Sequence, residues 1–226
     1  MTPGAPIGPD GALFRRHIVL IGAMAVGKSA IGQELARALQ REFVDTDQLI
    51  VSKHGSIAQI FAGRGELFFR EVEAKMVAAA LEATTQRPRV ISLGGGAVLD
   101  SGTQQLLAGA WVVHLDADLD TVRERIRRNS GRPLLTGDPM QRWEQMSRTR
   151  LPVYQRLADA TLDVRHGSVP ELAAALVRLM PAESAAPGPD PRRSPGHPSA
   201  RNALRASGSD STSDAGPEAV PEDGQQ

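Results

Sequence analysis

The chain has no cysteine among its 226 residues. That excludes a disulfide framework, a thiol nucleophile and any Cys-ligated zinc or iron–sulfur centre. It has no surplus of charge either, with 26 basic and 26 acidic side chains. A grip on a polyanion through a broad basic field is therefore not expected, and no nucleic-acid partner is read here. No apolar run approaches the roughly 20 residues a membrane helix needs, so no membrane partner is expected. The Gly- and Pro-rich opening lacks the apolar centre of a signal peptide. Together these absences read as a soluble, cytoplasmic chain. Aromatic residues are only 4% of the total, and all of them lie between Phe14 and Tyr154. The packed part of the chain is sought there.

Composition supports that division. The segment 181–226 is rich in Pro, Ser and Gly, and among its larger apolar residues it offers only Leu204 and Val220. Such a segment cannot bury enough apolar surface to offset the entropy of ordering it. Residues 181–226 are read as a disordered tail, 1–14 as a disordered leader and 15–180 as one domain. Within 15–180, short apolar runs alternate with amphipathic stretches. Strands are expected at His17–Ile21, Glu42–Val44, Arg89–Leu93, Trp111–Leu115 and Thr161–Val164. Helices are expected at Ser29–Leu39, Ser56–Phe61, Glu66–Leu81, Asp118–Arg128, Met140–Leu157 and Val169–Leu179. This alternation predicts an α/β fold, a parallel sheet covered on both faces. Ligands in such a fold sit beyond the carboxyl ends of the strands.

The strongest motif falls at such a position. Gly22-Ala23-Met24-Ala25-Val26-Gly27-Lys28-Ser29 fits the phosphate-loop pattern G-x-x-x-x-G-K-[ST], between a strand and a helix. Its glycines let backbone amides close around phosphates, and the helix N-terminus adds partial positive charge. Lys28 is expected on the β- and γ-phosphates and Ser29 on magnesium. The motif predicts binding of a nucleoside triphosphate with Mg2+, and leaves the phosphoryl acceptor open.

Acceptor chemistry is carried by weaker signals. Asp45-Thr46-Asp47 ends the second predicted strand, where one carboxylate can position a magnesium-bound water and the other can take a proton from a hydroxyl. The same tripeptide also reads as a helix N-cap. Arg70 and Arg150 are each ordinary surface arginines taken singly; as a pair they can grip one carboxylate while Asp47 holds hydroxyls of the same molecule. Gly94-Gly95-Gly96 closes the third strand, and implies either a close approach of backbone to something or positive φ. Arg132 lies in a Gly-bounded segment between two helices, as a closing lid requires. Of the basic run before it, Arg125 is the candidate ligand, and Arg123, Arg127 and Arg128 are read as a solvated face.

In these motifs, at this order and spacing, the chain resembles the shikimate kinase family from about His17 to Leu179. The resemblance rests on Gly22–Ser29, Asp45-Thr-Asp47, Gly63-Arg-Gly-Glu-Leu-Phe-Phe-Arg70, Gly94–Gly96, Arg132-Pro-Leu-Leu135 and Arg150-Leu-Pro-Val-Tyr154. It implies the P-loop, nucleoside monophosphate kinase-like fold, with a five-stranded parallel sheet in the order 2-3-1-4-5. It implies a monomer that transfers the ATP γ-phosphoryl group to the 3-hydroxyl of shikimate in aromatic amino-acid biosynthesis. By matching motif, Asp47, Lys28 and Arg132 are catalytic, and residues 22–30 with Arg125 and Arg132 bind the nucleotide. Asp47, Arg70, Gly94, Gly95, Gly96 and Arg150 bind shikimate, and Glu73 orients Arg70. Ser29 is a magnesium ligand, and Asp45 reaches the ion through water. Ala30 departs from the family, which usually has Thr there, and loses a hydroxyl near the α-phosphate. Asp116, although it follows a strand, is set aside as a metal ligand. The rival readings are a kinase for another hydroxy acid such as gluconate, a nucleoside monophosphate kinase, and a regulatory nucleotide-binding module.

Overall fold

The computed structural model describes residues 15–82, 87–127 and 138–181. The expected leader and tail, Arg128 and the expected lid with Arg132 lie outside the described residues. Five strands form one parallel sheet: β1 (Ile18–Ile21), β2 (Phe43–Asp45), β3 (Val90–Ser92), β4 (Trp111–Asp116) and β5 (Ala160–Asp163). Their order is β2-β3-β1-β4-β5, as the family resemblance implies. The register sets Ile18 beside both Val90 and Trp111, so β1 is the central strand. Every residue of β1 is buried, because helices cover both of its faces.

Seven α-helices and two short 3-10 turns complete the described fold; the α-helices are α1 (Lys28–Ala38), α2 (Thr46–His54), α3 (Ile57–Glu82), α4 (Ser101–Leu106), α5 (Leu119–Arg127), α6 (Pro139–Leu157) and α7 (Val169–Leu179). Strand alternation sorts the apolar residues into two layers. Ile18, Leu20, Val113 and Leu115 face a layer that takes Leu35 from α1, Ile126 from α5, Trp143 from α6 and Leu176 from α7. Val19, Ile21, Ile91 and Val112 face a second layer with Val77 from α3 and Tyr154 and Leu157 from α6. A third, smaller cluster joins Ile50 of α2 to Ile60, Phe69 and Val72 of α3. It holds the segment that carries Arg70 beside the second strand's carboxyl end.

Three elements differ from the sequence expectation. Helix α2 was signalled only by its Asp45 cap; only Thr46 and Ile50 of it are buried, so it writes no apolar stripe into the sequence. The two helices expected within 56–81 run as α3, broken at Gly65 where φ is 79° and ψ 175°. Helix α4 was not expected, and of it only Thr103 is buried; α6, by contrast, runs through Pro152 to Leu157 as expected.

Candidate active site

The phosphate-loop residues connect β1 to α1. Gly22 has φ of 140°, and a Cβ there would stand 2.6 Å from the Leu115 carbonyl oxygen. The loop is thus pressed against β4, a position only glycine fits. Ala25 is left-handed too, at φ 66°, a conformation that costs an alanine about 1 kcal/mol. Gly27, at φ 104°, starts α1. The buried Lys28 ammonium donates to the carbonyls of Gly22 and Ala23, each at 2.8 Å. Two further side chains hold the loop from outside. Trp143 Nε1 donates to the Met24 carbonyl at 2.8 Å, and Arg125 Nη1 donates to the Ala25 carbonyl at 3.1 Å. Val26 is buried, whereas Ala30 is exposed and lines the cavity described below.

Asp45 divides its two oxygens between two tasks. Oδ1 accepts from the backbone N–H of Asp47 and Gln48, capping α2. Oδ2 accepts from the Ser29 hydroxyl at 2.5 Å. One oxygen thus serves the N-cap and the other faces the Ser29 hydroxyl. Ser29 and Asp45 form an all-oxygen pair suited to a hard divalent cation. Among the described residues no group of three or more His, Asp or Glu side chains gathers to hold a metal ion. A cation at this pair would depend on phosphate oxygens for the rest of its shell.

The three glycines after β3 each face a different partner. A Cβ on Gly94 would stand 2.7 Å from Asp47 Oδ1 and 2.6 Å from Glu73 Oε1. On Gly95 it would stand 3.6 Å from Arg150 Nη1 and 3.3 Å from the Met24 backbone nitrogen. On Gly96 it would collide with the Arg70 guanidinium. None of the three has positive φ. Of the two causes that the sequence left open, close approach is the operative one.

The charges here are paired. Arg70 Nη1 donates to Glu73 Oε2 at 2.7 Å and Nη2 to Glu66 Oε1 at 2.9 Å. Burial disfavours the Arg70 charge, but Glu73 and Glu66 outweigh it and hold its pKa above the ordinary value. Glu73 is itself buried; burial pushes its pKa up, and the attraction of Arg70 offsets only part of that. Arg150 is buried on α6, with Nη2 3.6 Å from Met146 Sδ. Tyr154, one turn further, donates its O–H to the Gly95 carbonyl at 2.6 Å.

One cavity of about 730 Å³ is lined by the phosphate loop from Met24, by Asp45, Asp47, Arg70, Glu73 and Arg150, by Gly94–Gly96, and by Arg125. Asp116 ends β4 and is not among the residues lining it. Arg123 and Arg127 pair with Asp120 and Glu124 on the exposed face of α5, as a solvated run would. Sequence reasoning missed Trp143, whose indole gives no motif signal, and the stacking of the His114 and Tyr154 rings at 5.2 Å.

A family model described as Shikimate kinase matches residues 24–181. The shikimate kinase of Streptomyces coelicolor is 41% identical over 155 residues, which cover 68% of this chain and 88% of that protein. That of Xanthomonas oryzae pv. oryzae is 42% identical over 170 residues, covering 74% and 93%. Among solved structures, the shikimate kinase from Acinetobacter baumannii in complex with shikimate is similar at a TM-score of 0.69 and 31% identity, over 73% of this chain and 92% of that one.

Proposed function

The chain belongs to the shikimate kinase family, and from that premise we propose that it transfers the γ-phosphoryl group of ATP to the 3-hydroxyl of shikimate, a step of aromatic amino-acid biosynthesis. The observation that carries the reading is the glycine triplet. It brings Asp47, Arg150 and Arg70 to one short backbone segment that itself abuts the phosphate loop. A small molecule with a carboxylate and several hydroxyls matches two guanidinium forks and one carboxylate at that spacing.

On this reading the ATP phosphates lie in the loop 22–29, within reach of Lys28 and the N-terminus of α1. Arg125 holds the adenine side, and Arg132 brings charge to the transferring group. Magnesium, held by Ser29 and through water by Asp45, would neutralise phosphate charge. Arg70 and Arg150 take the shikimate carboxylate, and Glu73 keeps Arg70 in its orientation. Asp47 accepts the proton of the attacking hydroxyl. The hydroxyl oxygen bonds to the γ-phosphorus as the bond to the bridging oxygen breaks, leaving ADP. Positioning and charge supply most of the rate, since phosphoryl transfer needs little covalent help. We infer further that the enzyme works in the cytoplasm as a monomer, without nucleic-acid or membrane partners.

The test is ADP release coupled to a spectrophotometric signal, with ATP, magnesium and shikimate beside gluconate, a nucleoside monophosphate and no acceptor. Release that requires shikimate is expected; release driven instead by gluconate or the nucleotide would overturn the acceptor assignment. Asp47→Asn is expected to lower kcat roughly 10²-fold or more, the usual worth of a general base, with ATP binding by calorimetry unchanged. Near-normal turnover would remove the base role. Arg150→Ala is expected to raise the KM for shikimate and not that for ATP.

A further inference from the structure

Helix α6 carries more than Arg150. Trp143, Arg150 and Tyr154 are all buried on it, spaced seven and four residues apart, and so share one face. The two end residues hold two different loops. The Trp143 indole donates to the Met24 carbonyl in the phosphate loop at 2.8 Å. The Tyr154 hydroxyl donates to the Gly95 carbonyl in the glycine triplet at 2.6 Å. The Tyr154 ring is held from its other side as well, stacked on the His114 imidazole of β4 with the planes 20° apart. Neither Trp143 nor Tyr154 is among the residues lining the 730 Å³ cavity. Both touch backbone that does line it, and the Tyr154 hydroxyl also lies beside the Arg150 guanidinium.

This arrangement makes α6 a strut. One end is pinned to the loop expected to hold the phosphoryl donor, the other to the loop expected to hold the acceptor, and Arg150 projects between them. An indole N–H can only donate, and a carbonyl oxygen only accepts, so each pin has a fixed sense and direction. Phosphoryl transfer depends on the separation of the two reactants more than on any covalent partner, and an error of about 1 Å costs about 10²-fold. We propose that Trp143 and Tyr154 are positioning residues that set, through α6, the distance between the phosphate loop and the acceptor site. The inference rests on the acceptor assignment made above, because it takes Arg150 and the glycine triplet to hold the acceptor.

The test removes each pin while keeping the ring. Tyr154→Phe deletes one hydroxyl, and Trp143→Phe deletes the indole N–H. For each, kcat is expected to fall about tenfold, with both KM values within about twofold of wild type. The double variant is expected to lose more than the product of the single losses, since either pin alone still restrains the helix. A residue that only packs would lower the melting temperature and leave kcat intact, and that outcome in Tyr154→Phe overturns the proposal. A rise confined to the KM for shikimate overturns it too, because it would mean that α6 merely carries Arg150. Should Trp143→Phe fail to fold, Tyr154→Phe decides alone. Wild-type enzyme in the same assay separates the two levels of argument. An inactive wild type refutes the acceptor assignment, whereas an active wild type with a fully active Tyr154→Phe refutes only the strut.

Discussion

Glycine has two distinct uses in this site, and substitution separates them. At Gly22 an added Cβ would meet a main-chain oxygen of β4 at 2.6 Å, with φ at 140°. Neither can yield cheaply, so Gly22→Ala is expected to lower the stability of the fold itself. At Gly96 the obstacle is the far end of the Arg70 side chain, which can swing aside. Gly96→Ala is therefore expected to leave the melting temperature nearly unchanged and to raise the KM for shikimate about tenfold, the worth of a displaced charged hydrogen bond. Thermal melts beside steady-state kinetics check both; a destabilised Gly96→Ala would mean that Arg70 is not the part that gives. The sequence made these residues legible because their types match a ligand chemistry. A Gly-Lys-Ser turn suits phosphates, and paired arginines suit a carboxylate. Trp143 was not legible, since a tryptophan in a helix reads as core and its one polar atom is visible only once Met24 is beside it.

Strands were read from sequence within a residue or so, because most centre on a short apolar run between polar punctuation. Helices were legible in proportion to their apolar stripe. Helix α7, with Leu172, Ala173 and Leu176 inward, was found at its true bounds, whereas α2 was found only as the capping signal of Asp45. The approach to β1 has its own signature. His17 Nδ1 accepts from the Arg89 backbone N–H at 3.0 Å, which requires the neutral ring. Burial lowers the His17 pKa, and Arg89 and Arg41 lower it further. The folded state thus binds this proton less readily than the unfolded chain. The contribution is complete above histidine's ordinary range and is lost as pH falls through the depressed folded value. Melting temperatures between about pH 7 and 5 should fall more steeply for wild type than for His17→Gln. Parallel curves would show that the proton is taken up elsewhere.

Across the whole molecule, the sheet order sets the candidate acceptor residues and Arg125 on opposite flanks of β1. The flank of β3 and β2 leads into the glycine triplet and into Asp45 and Asp47, and the flank of β4 leads into α5 with Arg125. The alternation of strands with helices revealed a parallel sheet but not this order, because no strand's sequence names its neighbour; the order came from the family resemblance. The family match ends at residue 181, one residue beyond the buried Met180. A chain of residues 15–181 is therefore expected to keep kcat within about twofold and the melting temperature within about 2 °C of the full length. Loss of either would assign the removed residues a part in the fold. The central place of β1 also bears on how the protein is made. Its partners are Val90 and Trp111, about 70 and 90 residues later, and Gly22 rests on the carbonyl of Leu115. During synthesis the phosphate loop emerges early, yet the surface that shapes it is translated only at mid-chain. Such long-range pairing is slow to nucleate and leaves β1 without neighbours on the nascent chain. Nucleotide affinity should accordingly arise in one late step, after β4 has left the ribosome, and not when the loop itself does.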